Sequence, residues 1–225
     1  MLYYIDENVE LTKEFVASII DHTLLKPEAT QEEIIKLCDE AKKLNFFSVC
    51  VNPAFVNTAK NNLEGSAVKI ATVIGFPLGA NETYIKAVEA EKASRNGADE
   101  IDMVMNIGFI KSKDYKNLEK DIAEVVGAVR PKIVKVIIET ALLTKEEKII
   151  ASSIAVSAGA EFVKTSTGFS KGGATPEDVS LIRSVVGKEI GVKASGGIKN
   201  FETAVKMIKA GASRIGASKS VEIVT

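Results

Sequence analysis

Eight short apolar segments, rich in β-branched residues, alternate along this chain with amphipathic helical patterns. Most of them are nearly continuous in apolar residues, which is typical of parallel strands that are covered on both faces. They predict strands at residues 19–24, 46–51, 68–75, 100–105, 133–139, 161–165, 190–194 and 213–215. Such an alternation forms either an open doubly wound sheet or a closed barrel. The strand count and the even spacing favour an α/β fold of the (β/α)8 or TIM-barrel type.

The segments between these strands have the spacing of apolar residues that predicts amphipathic helices. We predict helices at residues 31–44, 82–96, 116–129, 145–157, 176–185 and 202–209, with an extra N-terminal helix at 11–18. Two of them begin at a favourable cap, because Thr144 precedes a run with two glutamates and Thr175 precedes a proline at the first helical position.

The 225 residues contain no low-complexity segment, linker or change in composition, so we predict one domain spanning residues 1–225. The 29 basic and 30 acidic residues give a net charge of -1, which disfavours nucleic acid and anionic membranes as partners. An anionic ligand must therefore be held by local geometry. No run of about 18 apolar residues occurs, and the N-terminus is unlike a secretory signal. We expect a soluble cytoplasmic protein with reduced cysteines.

Polar or ionisable residues occur in or just after the predicted strands, towards their carboxyl ends. These residues are Asp21, Cys50, Asn52, Asp102, Asn106, Glu139, Lys164, Lys193 and Ser195. In a closed barrel the carboxyl ends of all strands converge on one face, which is where barrel enzymes carry their active sites. We therefore expect the functional site at this face.

Two lysines lie within predicted strands that otherwise have the pattern of buried strands. Lys164 follows two apolar residues and precedes a small polar loop at residues 165–168, and Lys193 repeats the arrangement before two glycines. Such a lysine is either a solvated side chain on an edge strand or an amine inside the barrel. Burial inside a barrel depresses the pKa of a lysine and yields the neutral amine that attacks a carbonyl carbon.

Other polar residues of the first four strands are further candidates. Asp102 lies in an apolar stretch, where it is either a structural carboxylate paired with a lysine or an acid/base group beside a cationic lysine. Asp21 and Thr23 can bind sugar hydroxyls, whereas His22 would point the opposite way on the strand and is interpreted as structural. Cys50 is interpreted as a small core or pocket-lining residue.

Some ionisable residues are not expected in the site. Asp99 and Glu100 are expected at the start of the fourth strand, on the barrel face that serves stability. The single histidine and the two distant cysteines lack the spacing of metal ligands, so we predict that the protein has no metal site.

Two glycine-containing loops predict a phosphate site. Gly196 and Gly197 follow the seventh strand, while Gly216 and Ser218 accompany the eighth. Loops after strands 7 and 8 of a barrel commonly bind phosphate, and glycine lets backbone N–H groups approach an oxyanion closely. A glycine pair alone is usually just a turn, so the prediction depends on both loops together.

Taken together, these segments resemble the deoxyribose-phosphate aldolase family nearly from end to end. The motifs that carry the resemblance are IDHTLLKP from Ile20, SVCVNP from Ser48, VIGFPLG from Val73, EIDMVMNIG from Glu100, KVIIET from Lys135, FVKTSTGFS from Phe162, VKASGGIK from Val192 and RIGAS from Arg214. The resemblance implies a TIM barrel that reversibly cleaves 2-deoxyribose 5-phosphate into glyceraldehyde 3-phosphate and acetaldehyde. It further implies a lysine Schiff base, a place in deoxyribose catabolism, and no metal or cofactor.

The resemblance also implies a role for individual residues. It makes Lys164 the Schiff-base nucleophile, Lys193 its electrostatic partner and Asp102 the carboxylate of a proton relay. It puts Asp21 and Cys50 in the substrate pocket. Substrate or phosphate contacts are expected for Thr165, Thr167, Gly168, Gly196, Gly197, Gly216 and Ser218.

The sequence departs from the family pattern at two places. Lys219 stands where a small residue is expected in the phosphate loop, and it either contacts phosphate or points to solvent. The last tyrosine is Tyr115, so we expect no terminal tyrosine to assist proton transfer, and the relay is expected to depend on Asp102, Lys193 and water.

Two other functions stay open from the sequence. One is a different Schiff-base aldolase of similar fold, acting on a ketose phosphate or a keto-deoxy acid phosphate. The other is a barrel that binds a phosphorylated sugar without catalysis. In each case we expect small-molecule partners and a homo-oligomer, either a dimer or a tetramer.

Overall fold

The structure, a computed structural model that describes residues 3–6 and 8–225, is a closed barrel of eight parallel strands. The strands follow one another in chain order, and the last closes the barrel by pairing with the first. They are β1 (Ile20–Leu24), β2 (Ser48–Val51), β3 (Lys69–Ile74), β4 (Glu100–Val104), β5 (Ile133–Ile137), β6 (Phe162–Lys164), β7 (Gly191–Ser195) and β8 (Arg214–Ala217). The predicted TIM barrel and its eight predicted strands are therefore confirmed.

Helices surround the barrel and connect its strands. They are α1 (Lys13–Ala17), α2 (Gln31–Leu44), α3 (Val56–Leu63), α4 (Thr83–Asn96), α5 (Ile107–Lys111), α6 (Tyr115–Val129), α7 (Lys145–Ser157), α8 (Pro176–Val186), α9 (Phe201–Lys209) and α10 (Ser220–Val224). The predicted helices, including the extra N-terminal one, are confirmed, but α3, α5 and α10 are additional. Within the described residues no helix has the length and apolar character needed to cross a membrane.

Side-chain caps set where several helices begin. Thr144 accepts the backbone N–H of Glu147, whose carboxylate in turn accepts the N–H of Thr144, so the two form a capping box at the start of α7. Thr175 accepts the N–H of Asp178 in front of α8, which has Pro176 at its first position. These contacts satisfy N–H groups that have no partner within the helix, so they stabilise both predicted helix starts.

The apolar core lies between the strands and the helices. Strand residues such as Val49, Ile101 and Val192 are fully buried in one cluster with apolar helix residues. The centre of the barrel is different, because charged side chains occupy it. They are Asp21, Glu100, Asp102, Lys135, Lys164, Lys193 and Arg214, each no more than 5% exposed. Branched apolar side chains usually fill this space in TIM barrels, so the buried charges need a separate explanation.

Candidate active site

Asp102 of β4 lies at the centre of the charged barrel interior. Its Oδ1 atom accepts a hydrogen bond from Lys135 Nζ at 2.7 Å. Its Oδ2 atom accepts one from Lys164 Nζ at 2.8 Å and another from Lys193 Nζ at 2.7 Å. The strand register explains the cluster, because Asp102 pairs with Lys135 and Lys164 pairs with Lys193 in neighbouring strands. The structure thus brings the three predicted catalytic residues together and adds a third lysine.

Asp21 lies deeper in the barrel than the sequence pattern indicates. It is the second residue of β1, so the expectation that it lies towards the carboxyl end of its strand is wrong. Its carboxylate accepts hydrogen bonds from Ser48 Oγ at 2.7 Å and from Arg214 at 3.0 Å, and it forms an ion pair with Lys193. Asp21 therefore supports Lys193 inside the barrel and does not line the cleft described below.

Glu100 also belongs to the charged interior. It lies 2.7 Å from Lys135 Nζ and 2.9 Å from Arg214, whereas Asp99 is half-buried outside the barrel and accepts the N–H of Ile70. Both residues lie at the start of β4, as expected, but the Glu100 side chain points into the charged interior. Alternation along a strand is the signal that indicates this, since residues two apart on a strand face the same side and Asp102 faces inwards.

The charges of the interior balance only if one amine is neutral. Three carboxylates face four basic side chains within the barrel. An uncompensated charge in a buried site is costly, because little water is present to stabilise it. The arrangement therefore favours the loss of one proton from one of the lysines.

Among Lys135, Lys164 and Lys193 in the barrel interior, Lys164 is the one whose pKa is lowered. Its burial is the main cause, the Asp102 carboxylate opposes the shift, and the charge of Lys193 adds to it. Burial also acts to lower the pKa of Lys193, but the carboxylates of Asp102 and Asp21 outweigh it and raise that pKa above its ordinary value. Asp102 is itself buried, yet the surrounding lysines hold its pKa well below the ordinary value. These directions favour a neutral Lys164 beside a charged Lys193.

A cleft of about 270 Å³ opens at the carboxyl ends of the strands, and Lys164 lines it. Asp102 and Lys193 are completely buried and do not line it. A larger groove of about 630 Å³ lies between the N-terminal segment and α9, but it contains none of the charged interior residues. The smaller cleft is therefore the one from which a ligand can reach an amine of the interior.

The predicted phosphate residues line this same cleft. They are Gly168, Gly196, Gly197, Gly216 and Ser218. The backbone N–H groups of Gly168, Gly197 and Ser218 have no acceptor in the part of the chain that is described. Gly196 has a φ of 88°, which glycine adopts readily, and a Cβ added to Gly216 would lie 2.9 Å from Lys193 Cε. Unpaired N–H groups converging on a cleft are suited to binding an oxyanion.

The remaining predicted contact residues lie at different depths. Thr167 lines the cleft. Thr165 is fully buried and connects β6 to β7, because its hydroxyl donates to the carbonyl of Ser195 at 3.0 Å and accepts the N–H of Ser195 at 3.1 Å. Cys50 is fully buried in a small apolar cluster with Phe76, and burial raises the pKa of its thiol. Thr165 and Cys50 are therefore not part of the cleft lining.

His22 and Lys219 lie away from the cleft. His22 Nε2 contacts a carboxylate oxygen of Glu40 on α2 at 2.8 Å, as expected of a structural histidine that points out of the barrel. Lys219 is half exposed and forms an ion pair with Glu222 at 2.7 Å. Lys219 does not line the cleft, so of its two predicted positions the structure agrees with the one in which it points to solvent.

Four basic residues near the site are missed by the sequence patterns. Lys135 and Arg214 lie inside the barrel, and the signal that indicates Lys135 is the one used for Lys164, an ionisable residue within an apolar strand. Lys26 and Lys199 line the cleft from the loops after β1 and β7. Nothing in their local sequence distinguishes them from other lysines in loops.

Comparison with known proteins gives one consistent likeness. A family model described as DeoC/LacD family aldolase matches residues 3–220. The deoxyribose-phosphate aldolase of Coprothermobacter proteolyticus is 65% identical over 205 residues, which cover 91% of this chain and 94% of that protein. The deoxyribose-phosphate aldolase of Clostridium perfringens is 58% identical over 214 residues, covering 95% of this chain and 96% of that protein.

Solved structures give the same result. One aldolase structure matches with a TM-score of 0.89 at 43% sequence identity, covering 93% of this chain and 94% of the other. A tetrameric deoxyribose phosphate aldolase from Aeropyrum pernix matches with a TM-score of 0.89 at 34% identity, covering 95% of this chain and 91% of the other.

Proposed function

Since this chain belongs to the DeoC/LacD family of aldolases, we propose that it reversibly cleaves 2-deoxy-D-ribose 5-phosphate into D-glyceraldehyde 3-phosphate and acetaldehyde, in deoxyribose catabolism, through a Schiff base on Lys164. The observation that carries the mechanism is the position of Lys164. Among the described residues it is the one amine of the barrel interior that lines the cleft, and its pKa is lowered. A neutral amine within reach of the substrate is what imine formation requires.

The reaction begins when the neutral amine of Lys164 adds to the aldehyde carbon of the open-chain sugar. The carbinolamine loses water, and the protonated imine then attracts electrons from the neighbouring carbon. Removal of the proton from the C3 hydroxyl lets the C2–C3 bond break. The electrons of that bond form an enamine, and C3 becomes the aldehyde carbon of glyceraldehyde 3-phosphate. Protonation of the enamine at C2 and hydrolysis of the imine release acetaldehyde and regenerate the amine.

Asp102 and Lys193 balance the charge of the imine and exchange protons beside it. When the imine is protonated, its nitrogen is cationic, and the Asp102 Oδ2 atom that lay 2.8 Å from the free amine becomes its counter-charge. Lys193 shares this oxygen, so carboxylate, ammonium and water can exchange protons beside the reacting carbons. Lys135 holds the other oxygen of Asp102 and keeps the carboxylate in this orientation.

The phosphate of the substrate binds the loops after β6, β7 and β8. Its oxygens accept hydrogen bonds from the N–H groups of Gly168, Gly197 and Ser218, which have no acceptor in the described chain. Lys26 and Lys199 line the cleft and add positive charge. Phosphate binding fixes the far end of the sugar, and that binding energy holds the aldehyde carbon close to Lys164.

Product analysis tests this function. Incubation with 2-deoxyribose 5-phosphate is expected to yield acetaldehyde and glyceraldehyde 3-phosphate in equal amounts, with EDTA present or absent. The described residues include no group of three or more His, Cys, Asp or Glu arranged to hold a metal ion. A ketose phosphate and a keto-deoxy acid phosphate are the comparison substrates. Preferred cleavage of either one contradicts the substrate, and loss of turnover on chelation contradicts the mechanism.

We also propose that the protein acts as a cytoplasmic homo-oligomer. Tyr84, Ile85 and Val88 of α4 are exposed, and nearby in sequence Leu78 is 73% exposed. Exposed apolar patches commonly mark protein interaction sites, and the Aeropyrum pernix relative is tetrameric. The two cysteines are free and buried, in agreement with a reducing compartment. Light scattering is expected to give the mass of a dimer or a tetramer, and a monomer at micromolar concentration would contradict this part.

A further inference from the structure

Glu139 has no part in the proposed reaction, yet both its backbone and its side chain are constrained. It follows β5 at the carboxyl end of the barrel and is 3% exposed. Its φ of 56° lies in the left-handed region, which is uncommon for a residue other than glycine. Its Oε1 atom is buried without a hydrogen-bond partner in the described structure. Backbone strain and a buried carboxylate persist only where surrounding contacts enforce them.

The carboxylate of Glu139 holds Thr167, a residue of the cleft. Its Oε2 atom accepts the backbone N–H of Thr167 at 3.2 Å and the hydroxyl of Thr167 at 2.5 Å. The same hydroxyl accepts the backbone N–H of Phe169 at 3.0 Å. Two of the three N–H groups in the segment from Thr167 to Phe169 are therefore bound within the protein.

The N–H group between these two belongs to Gly168, and it has no acceptor in the described chain. Gly168 lines the cleft, and a Cβ added to it would lie 3.9 Å from the Cα atom of Gly196, so the loops after β6 and β7 are adjacent. Of the three N–H groups in this segment of the cleft, only that of Gly168 is left free, because Glu139 binds the N–H of Thr167 and orients the hydroxyl that binds the N–H of Phe169. Donors that are fixed before the ligand arrives bind an oxyanion more strongly than mobile donors do.

We propose that Glu139 is a positioning residue for the substrate phosphate. By holding both polar groups of Thr167, it fixes the loop after β6 so that the N–H of Gly168 faces the phosphate. The inference rests on the proposed function and deepens its phosphate site. Glu139 acts through Thr167 and does not contact the reacting carbons, so its loss affects phosphate binding and leaves imine formation at Lys164 unchanged.

Two substitutions separate the side-chain contact from the backbone conformation. Glu139→Asn keeps a residue type that tolerates a positive φ, but its side chain is one methylene shorter and does not reach Thr167. Glu139→Gln keeps the length and offers a carbonyl oxygen that can accept the same two donors. Thr140→Val is the matched control, because Thr140 is the adjacent buried residue and its hydroxyl has no partner in the described structure.

Glu139→Asn is expected to raise the KM for 2-deoxyribose 5-phosphate roughly tenfold or more and to weaken binding of inorganic phosphate by a similar factor. The KM for unphosphorylated 2-deoxyribose and the rate of borohydride trapping with acetaldehyde should stay at the wild-type values. Glu139→Gln should restore most of the phosphate affinity, and Thr140→Val should change neither quantity.

Equal losses for the phosphorylated and the free sugar, or unchanged phosphate binding in a folded Glu139→Asn variant, overturn the inference. If circular dichroism shows that this variant does not fold, Thr167→Val decides, because it removes the hydroxyl from the same contact. Unchanged phosphate binding in Thr167→Val also overturns the inference. Calorimetry with inorganic phosphate needs no turnover, so the role of Glu139 can be judged even if the chain cleaves a different sugar phosphate.

Discussion

Lys164 and Lys193 are neighbours across two strands, but their surroundings differ by one carboxylate. Lys164 contacts Asp102, whereas Lys193 contacts both Asp102 and Asp21. The additional carboxylate explains why the pKa of Lys193 is raised while that of Lys164 is lowered, although both are buried. One amine is therefore prepared for attack on a carbonyl and the other for holding charge.

Lys193→Leu should move imine formation to higher pH. The charge of Lys193 lowers the pKa of Lys164, so its removal raises that pKa and keeps the amine protonated until a higher pH. The rate of borohydride-trapped adduct with acetaldehyde, measured against pH, gives the shift. Lys199→Leu is the control, because Lys199 lines the cleft outside the charged interior. An unchanged or acid-shifted profile for Lys193→Leu would show that Lys193 does not tune Lys164.

At the scale of elements, the strands and most helices are predictable because their apolar patterns are local. Helix α3 is not, since only Val56, Ala59 and Leu63 of its eight residues are buried and the rest is polar. The end of β5 is also misjudged. The apolar run predicts a strand to residue 139, but β5 ends at Ile137 and Glu139 turns to hold Thr167. That contact joins residues 28 positions apart, which no local pattern contains.

The candidate site is predictable in part for the same reason. Lys164 and Lys193 stand out because a lysine within an apolar strand is conspicuous in the sequence. The depths of Asp21 and Glu100 within the barrel depend on how the strands pair and stagger around it. That register is set by tertiary packing, so the sequence indicates the site but not which carboxylate lies at which depth.

The loop after β8 is the element that tests the phosphate site. Ser218 lines the cleft, and its N–H group has no acceptor in the described chain. Ser218→Asp places a negative charge beside the bound phosphate, so the KM for 2-deoxyribose 5-phosphate should rise roughly tenfold or more, with little effect on unphosphorylated 2-deoxyribose. Lys219→Gln should have little effect on either sugar, because Lys219 pairs with Glu222 away from the cleft. An equal effect of Ser218→Asp on both sugars would contradict the assignment.

At the scale of the whole barrel, the interior behaves as one set of charges. Three carboxylates are matched by Lys135, Lys193 and Arg214, which allows Lys164 to be neutral. If any one of these cations is removed, Lys164 keeps its proton and balances the third carboxylate in its place. The reactivity of the amine depends in this way on residues that never contact the substrate.

Lys135→Met should lower both stability and activity, because Lys135 is fully buried and contacts Glu100 and Asp102. Loss of one partner from a buried ion pair typically costs about 3–5 kcal/mol, measurable by chemical denaturation. Imine formation should also shift to higher pH, since Lys164 retains its proton to balance the carboxylates. The double variant Lys135→Met/Glu100→Gln removes one charge of each sign and should recover much of the wild-type pH profile. Equal pH profiles for the single and double variants would contradict the charge balance.

The most direct test is borohydride reduction of the protein with acetaldehyde, followed by peptide mass mapping of the adduct. We expect one ethylated lysine at position 164, formed without added metal, and no adduct in Lys164→Arg, because a guanidinium group does not form the imine. Lys193 should stay unmodified, since it is charged and does not line the cleft. An adduct at Lys193 in the wild-type protein would exchange the two roles, and the absence of any adduct would contradict the Schiff-base mechanism.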